Sequence, residues 1–203
     1  MNPTKLMAVA LCAAACVTTT AFAEDDDFVA DANSTAIADP VNPKPGMVFK
    51  GYNLDTQYGD KFQTLKATLA STAPVKSTVV TSEQFSFEPF RKEVRINQGF
   101  WEGFLKCKRT AQCTFLIKQK GDYSGGGFLL YVNGKKVIGN CGTGQQSENV
   151  SLKAGFNHIE IFSQAQYPVE VFLSPVGSTK PPKQLSPAIS NMFYDDKEPD
   201  DVI

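Results

Sequence analysis

Residues 100–173 contain a series of short apolar segments that decides the fold: FWEGFLKC (100–107), CTFLIK (113–118), GFLLYVNGKKVI (127–138), VSLKAG (150–155), HIEIF (158–162) and VEVFL (169–173). Each segment is rich in aromatic or β-branched residues, and turn residues separate it from the next. Short apolar runs bounded by turns are typical of antiparallel strands in a sandwich or barrel. The sequence therefore predicts an all-β fold.

Local patterns within this stretch refine the prediction. Asn133-Gly134 between two apolar runs indicates a hairpin with a type I′ turn. Leu129 and Leu130 lie on opposite faces of one strand, which predicts a central strand covered on both sides. Trp101 is the only tryptophan. It is either a ligand-stacking platform or a core residue beside Gly103, and we favour the core.

Residues 1–23 are predicted to be an export signal. Lys5 precedes an apolar run over residues 6–17, and Ala21-Phe22-Ala23 supplies small residues for cleavage after Ala23. The apolar run is too short for a membrane anchor, which must cross about 30 Å of hydrocarbon. A lipid-anchored reading at Cys16 is weaker, because Ala13-Ala14-Ala15 lacks a large aliphatic residue. We therefore expect a secreted, periplasmic or cell-surface protein of a bacterial envelope.

The chain then divides into three parts. Residues 24–45 begin with four acidic residues and are predicted to be an acidic disordered linker. Residues 46–190 form the β-sandwich domain, and residues 191–203 form an acidic tail. Inside the domain we expect a first strand at 46–52, an irregular excursion at 53–80 with room for one helical turn, and strands at 85–87 and 94–96.

The charge balance argues against nucleic acid as a partner. The whole chain has 20 basic and 21 acidic residues, and loss of Lys5 with the signal leaves 19 against 21, a net charge of −2. Such a balance gives no general attraction to a phosphate backbone. No later stretch is long and apolar enough to form a membrane-spanning segment.

The sequence predicts no enzyme, no cofactor and no metal site. His158 is the only histidine, and its strand pattern makes it a packing or strand-end residue rather than a base. A glycosidase needs two carboxylates facing one cleft. Nothing in the spacing pairs any two of the domain's candidate acids, which are Glu102, Asp122, Glu148, Glu160 and Glu170.

Three cysteines remain after removal of the signal: Cys107, Cys113 and Cys141. Cys107 and Cys113 flank a plausible turn, so we predict a disulfide between them across a hairpin in an oxidising compartment. Cys141 is then either a buried free thiol or a competing partner for one of the two. The spacings match no zinc pattern.

Two glycine-rich polar loops, residues 119–127 and 140–147, are the candidate binding loops. Three consecutive glycines follow Asp122, Tyr123 and Ser124, and such backbone can approach a ligand closely. The alternative is a merely flexible hairpin connection. A phosphate loop is rejected because no helix with Lys-Ser/Thr follows.

The order of these segments resembles the PA14 domain family over residues 45–190. The resemblance is carried by 46–52, Trp101-x-Gly103-Phe104-Leu105, 113–117, the run 130–138 with its Asn133-Gly134 turn, and 150–159, with Leu185-Ser186-Pro187 near the end. It implies a non-catalytic binding module with a β-sandwich or barrel fold. Lectin members of the family hold calcium with two adjacent aspartates, and those places fall at Gly125 and Gly126. The substitution argues against calcium-dependent sugar binding.

We therefore expect an exported adhesion module that recognises a glycan or a surface protein. Six residues are predicted to contact the ligand: Asp122, Tyr123, Gly125, Gly126, Gln145 and Gln146. The alternative is a structural or accessory subunit of a cell-surface or envelope assembly, docking through its ends or a sheet edge.

Overall fold

The computed structural model describes residues 37–54, 65–119, 127–141, 145–164, 168–189 and 191–196. They form a two-sheet antiparallel β-sandwich, as predicted. The strands, in chain order, are β1 (Pro43–Pro45), β2 (Met47–Tyr52), β3 (Lys76–Val80), β4 (Gln98–Cys107), β5 (Ala111–Gln119), β6 (Gly127–Val132), β7 (Lys135–Cys141), β8 (Gln145–Leu152), β9 (Gly155–Ser163), β10 (Val169–Pro175), β11 (Lys183–Leu185) and β12 (Met192–Asp195). One helix, α1 (Leu65–Ala70), and a 3-10 helix, Glu88–Phe90, complete the described elements.

The large sheet has eight strands in the order β1-β12-β4-β9-β6-β7, with β2 pairing to β4 and β3 pairing to β2. The small sheet has four strands in the order β11-β10-β5-β8. Strands β4 and β9 form the longest ladder of the large sheet, from Gly99 opposite Ser163 to Cys107 opposite Gly155.

The main core fills the space between the two sheets. Trp101 is buried there, with its ring centroid 5.2 Å from that of Phe49 and 5.8 Å from that of Phe85. The prediction of a core tryptophan is confirmed. Gly103 allows close approach, because a Cβ at this position would lie 2.8 Å from the carbonyl oxygen of Phe193.

A second apolar cluster lies on the outer face of the large sheet. Helix α1 places Leu65 and Leu69 over Phe100, Leu129 and Phe162. Leu129 belongs to this cluster while Leu130 belongs to the main core, so β6 is covered on both sides. Burial on both faces explains why β6 is apolar at every position instead of alternating.

The Asn133-Gly134 hairpin is confirmed. Asn133 has φ of 52° and Gly134 has φ of 79°, the left-handed pair that a type I′ turn requires. The predicted strands at 85–87 and 94–96 are wrong. Phe85 makes a single bridge to Val169, and the 3-10 helix begins directly afterwards with Pro89 in its first turn. Residues 76–80, expected to be irregular, form β3 instead.

The predicted domain boundaries are too narrow. Residues 43–45, assigned to the linker, pair with 193–195, assigned to the acidic tail. Asp195 explains why an acidic segment is ordered here, because its Oδ1 accepts hydrogen bonds from the backbone nitrogens of Val41 at 3.0 Å and Asn42 at 2.9 Å. The carboxylate thus satisfies two backbone donors directly before β1.

Candidate functional site

Three connections between the two sheets converge at one end of the sandwich, which we call the rim. They join β5 to β6, β7 to β8, and β9 to β10. The strand registers place their anchors together, with Lys118 opposite Gln145, Gly127 opposite Cys141, and Phe128 opposite Ser163. The two predicted binding loops therefore start and finish at the same end of the molecule.

Of the six residues predicted to contact the ligand, the structure describes Gln145 and Gln146. Gln145 is exposed and Gln146 half-buried at the start of β8. The side-chain oxygen of Gln146 has no hydrogen-bond partner within the described ranges. Asp122, Tyr123, Gly125 and Gly126 lie outside the described residues, so their role stays a prediction.

Polar residues that sequence reasoning missed lie beneath the rim. Ser163 and Gln164 are buried at the end of β9, and the backbone nitrogen of Gln164 donates to the carbonyl oxygen of Gly127 at 3.0 Å. Buried polar side chains are uncommon and are normally hydrogen-bonded. In the sequence, these residues could have been noticed as the polar pair Ser163-Gln164 directly after the apolar run HIEIF.

Among the acids that the structure describes, Glu102 on the outer face of the large sheet has the most strongly lowered pKa. Its Oε1 lies 3.1 Å from Nε2 of His158, and its Oε2 lies 3.2 Å from Nζ of Lys50. The hydrogen bond from His158 and the charge of Lys50 outweigh the opposing effect of burial and lower the pKa of Glu102 from 4.5 to about 2. Glu102 is therefore ionised at every physiological pH.

His158 is a buried packing residue of β9, as predicted. Its ring lies 5.1 Å from that of Phe104, and it borders a groove of about 500 Å³ with Glu102, Phe104 and Tyr194. Since the Glu102 carboxylate only accepts hydrogen bonds, Nε2 of His158 is the donor in this contact. The Glu102 carboxylate orients the imidazole of His158, as a carboxylate does for a catalytic histidine. However, the described residues that line the groove include no Ser or Cys nucleophile.

Spacing along the chain does not pair any two of the candidate acids, but the fold brings Glu102 and Glu160 together. They are direct cross-strand neighbours in the ladder of β4 and β9. Glu160 is nearly buried and bonds Nζ of Lys66 at 2.5 Å, while that lysine also lies over the ring of Tyr131 at 4.6 Å. Each carboxylate has its own lysine, and Glu102 cannot serve as the protonated acid that glycoside hydrolysis needs.

The two predicted disulfide residues do not flank a hairpin. Cys107 ends β4 in the large sheet and Cys113 lies in β5 of the small sheet, so the chain between them crosses the sandwich. Both are free thiols in the structure. Burial raises the pKa of each thiol, and the neighbouring Cys113 adds to the effect on Cys107. The disulfide itself stays a prediction, and the side chain of Cys141 is outside the described set.

Across the described ranges, no three His, Cys, Asp or Glu side chains cluster closely enough to bind a metal ion. Within the same part of the chain, no helix has the length and apolar character required to cross a bilayer.

The fold and the rim define a class: a two-sheet antiparallel sandwich in which three inter-sheet connections meet at one end. No family model and no curated protein sequence matches the chain. Solved structures do match. The PA14 domain of the MpAFP antifreeze protein aligns with a TM-score of 0.54 over 79% of this chain and 97% of that domain, at 12% identity.

Two further structures agree. A PA14 sugar-binding domain from an RTX adhesin gives a TM-score of 0.53 over 70% of this chain and 94% of that one, at 13% identity. An anti-sigma factor domain-containing protein from Clostridium clariflavum gives a TM-score of 0.51 over 77% of this chain and 48% of that chain, at 16% identity. The chain has a PA14-like fold, as the sequence resemblance predicted.

Proposed function

We propose that the protein is an exported, non-catalytic adhesion module that binds a glycan or a surface protein through the rim. One observation carries the proposal: three inter-sheet connections leave a rigid frame at the same end. Binding residues are often found on connections held by such a frame. The PA14 neighbour described as a sugar-binding domain from an adhesin supports the same reading.

The chemistry of the proposed contacts suits a neutral sugar. Gln145 and Gln146 supply amide donors and acceptors at the start of β8, and Asp122 supplies a carboxylate acceptor. Tyr123 provides an aromatic surface for the apolar face of a sugar ring. Gly125 and Gly126 allow the backbone to approach the ligand without a side chain in the way.

A glycan array probed with the mature chain, residues 24–203, tests this proposal. We expect binding that falls at least tenfold in Tyr123→Ala and in Asp122→Ala. The matched control is Tyr194→Phe, which removes only a hydroxyl at the distant groove and is expected to bind normally. Binding that survives both rim variants removes this site, and binding to no glycan leaves surface proteins to be tested by pull-down with the same variants.

The alternative of an envelope subunit docking through its ends is less well supported. Strands β1 and β12 pair with each other, and Asp195 is engaged by the backbone of Val41 and Asn42. These segments are therefore occupied within the domain. A stable complex lost on trimming residues 24–36 or 197–203, with the rim variants unaffected, would favour that alternative.

A further inference from the structure

The end of the sandwich opposite the rim carries a group of exposed cations, which we call the basic end. Its members lie at the end of β4, in the β4–β5 crossover, in the β6–β7 hairpin and in the β8–β9 crossover. They are Lys106, Lys108, Arg109, Lys135 and Lys153. The connecting segments 108–110, 133–134 and 153–154 contain no acidic residue.

Hydrogen bonds hold these segments together as one surface. Asn157 is fully buried, and its Oδ1 accepts from Nδ2 of Asn133 at 3.0 Å and from the backbone nitrogen of Lys153 at 3.0 Å. Its Nδ2 donates to the carbonyl oxygen of Lys153 at 2.9 Å. The backbone nitrogen of Ala154 donates to Oγ1 of Thr110 at 3.2 Å, which ties in the β4–β5 crossover. The cations are therefore presented by a preorganised frame.

Most of this positive charge is not neutralised. Lys153 pairs with Asp39 at 2.9 Å, whereas Lys108, Arg109 and Lys135 form no ion pair with any residue in the described ranges. The whole chain has a net charge of −1, so the basic end is a local concentration and not an overall excess. A surface of this kind attracts a polyanion, and the attraction falls with ionic strength.

Apolar groups at the same end favour a lipid surface over a soluble polyanion. Nζ of Lys106 lies 5.2 Å from the ring centroid of Phe156, which is half-buried and packs edge-on against Phe193 at 5.8 Å. Val176, half-exposed, is tied to this end by a 2.9 Å hydrogen bond from its nitrogen to the carbonyl oxygen of Gln112. Aromatic residues beside lysines are typical of the headgroup region of a membrane.

We infer that the basic end docks on the phosphate groups of an anionic lipid surface and leaves the rim facing away. The contact is peripheral, because the end offers cations and half-exposed apolar side chains but no long apolar segment. This inference is independent of what the rim binds, and a failure of one leaves the other standing. Each lysine or arginine close to an anionic bilayer contributes about fivefold to the partition coefficient.

Co-sedimentation with phosphatidylcholine vesicles, with and without phosphatidylglycerol, tests the inference on the mature chain. We expect binding only with phosphatidylglycerol, weakened by salt and reduced roughly 30-fold in the double variant Lys108→Gln/Arg109→Gln. The control double variant Lys92→Gln/Arg95→Gln removes the same charge from exposed residues at another place and is expected to bind normally. Circular dichroism verifies that both variants fold.

Three results would overturn the inference: no binding to phosphatidylglycerol vesicles, an equal loss of vesicle binding in the two double variants, or retention of the protein on heparin beads without binding to vesicles. The last result would identify a soluble polyanion as the partner. Displacement from vesicles by millimolar inorganic phosphate at constant ionic strength would also contradict it, because it would indicate a site for a single free anion.

Discussion

Glu102 and Glu160 lie directly opposite each other across β4 and β9, and each carboxylate is bound by its own lysine, Lys50 at 3.2 Å and Lys66 at 2.5 Å. Two like charges at directly opposed positions destabilise a sheet unless cations compensate them. The two lysines come from different elements, β2 and α1, so the pair fastens both to the centre of the large sheet.

Replacing Lys66 with methionine tests this arrangement. Only 7% of the Glu160 side chain is exposed, so loss of Lys66 leaves a nearly buried carboxylate without its cation. Because Lys66 itself is 40% exposed, we expect a loss of about 2 kcal/mol, below the cost of breaking a fully buried pair. Urea denaturation measures it. Lys92→Met, at an exposed position, is the control, and an equal effect of the two variants would refute the pairing.

Because the pKa of Glu102 is lowered in the folded protein, we expect the free energy of unfolding to depend on pH in the acidic range. Its folded-state pKa of about 2 lies below the ordinary 4.5, so its stabilisation is complete above pH 4.5 and disappears as the pH falls toward 2. About a third of the side chain is exposed, so we expect Glu102→Gln to cost about 1–2 kcal/mol at pH 7 and almost nothing at pH 2. Thermal unfolding of both proteins from pH 2 to 7 measures the difference. A cost that does not change with pH would show that the ion pair contributes nothing.

The hydrogen bonds of Asn157 should contribute to the stability of the basic end, opposite the rim. Asn157→Ala removes three hydrogen bonds made by a buried amide, and we expect a loss of about 2–3 kcal/mol. Asn149→Ala removes a single exposed bond from Thr114 and is expected to cost less than about 1 kcal/mol. Denaturation midpoints compare the two. Similar costs would mean that the frame of the basic end does not depend on Asn157.

The sequence predicted the class of fold well, because hydrophobic pattern and turn chemistry are local. The run from Leu129 to Ile138 specifies its own hairpin through Asn133-Gly134. Register between distant strands is not local. The pairing of Glu102 with Glu160 depends on a ladder between segments more than fifty residues apart, which spacing along the chain does not reveal.

Composition misled the prediction at the two ends and at the cysteines. Pro43–Pro45 and Asp195 read as linker and tail, yet backbone hydrogen bonds to the Asp195 carboxylate make the acidic residue part of the sheet. Cys107 and Cys113 read as hairpin partners because the short segment between them gives no sign that it changes sheets. By contrast, the positions of the glycine-rich loops between strands were predicted from the sequence, and the strand registers place the anchors of both loops at the same end.

The cysteine prediction has its own test. Protein recovered from an oxidising compartment should show a Cys107–Cys113 disulfide in a peptide map made without reduction, since only the short crossover and the first residues of β5 separate the two cysteines. Reduction should lower stability by about 2–3 kcal/mol, because the closed loop is short. The control is Cys141→Ser, which should leave the bridge unchanged. Recovery of Cys107 and Cys113 as alkylated thiols would contradict the pairing.

The central claim is that the ligand binds at the rim, and mapping of the ligand-contacting residues tests this claim most directly. The mature chain, labelled with nitrogen-15, is titrated with the strongest glycan from the array, and backbone amide shifts are followed by NMR. We predict that the shifts of described residues concentrate at Gln145, Gln146 and Gln164, with none at Asn133 or Asn157. Shifts centred on the hairpin of β6 and β7, or on the groove beside His158, would contradict the assignment of the rim as the binding end.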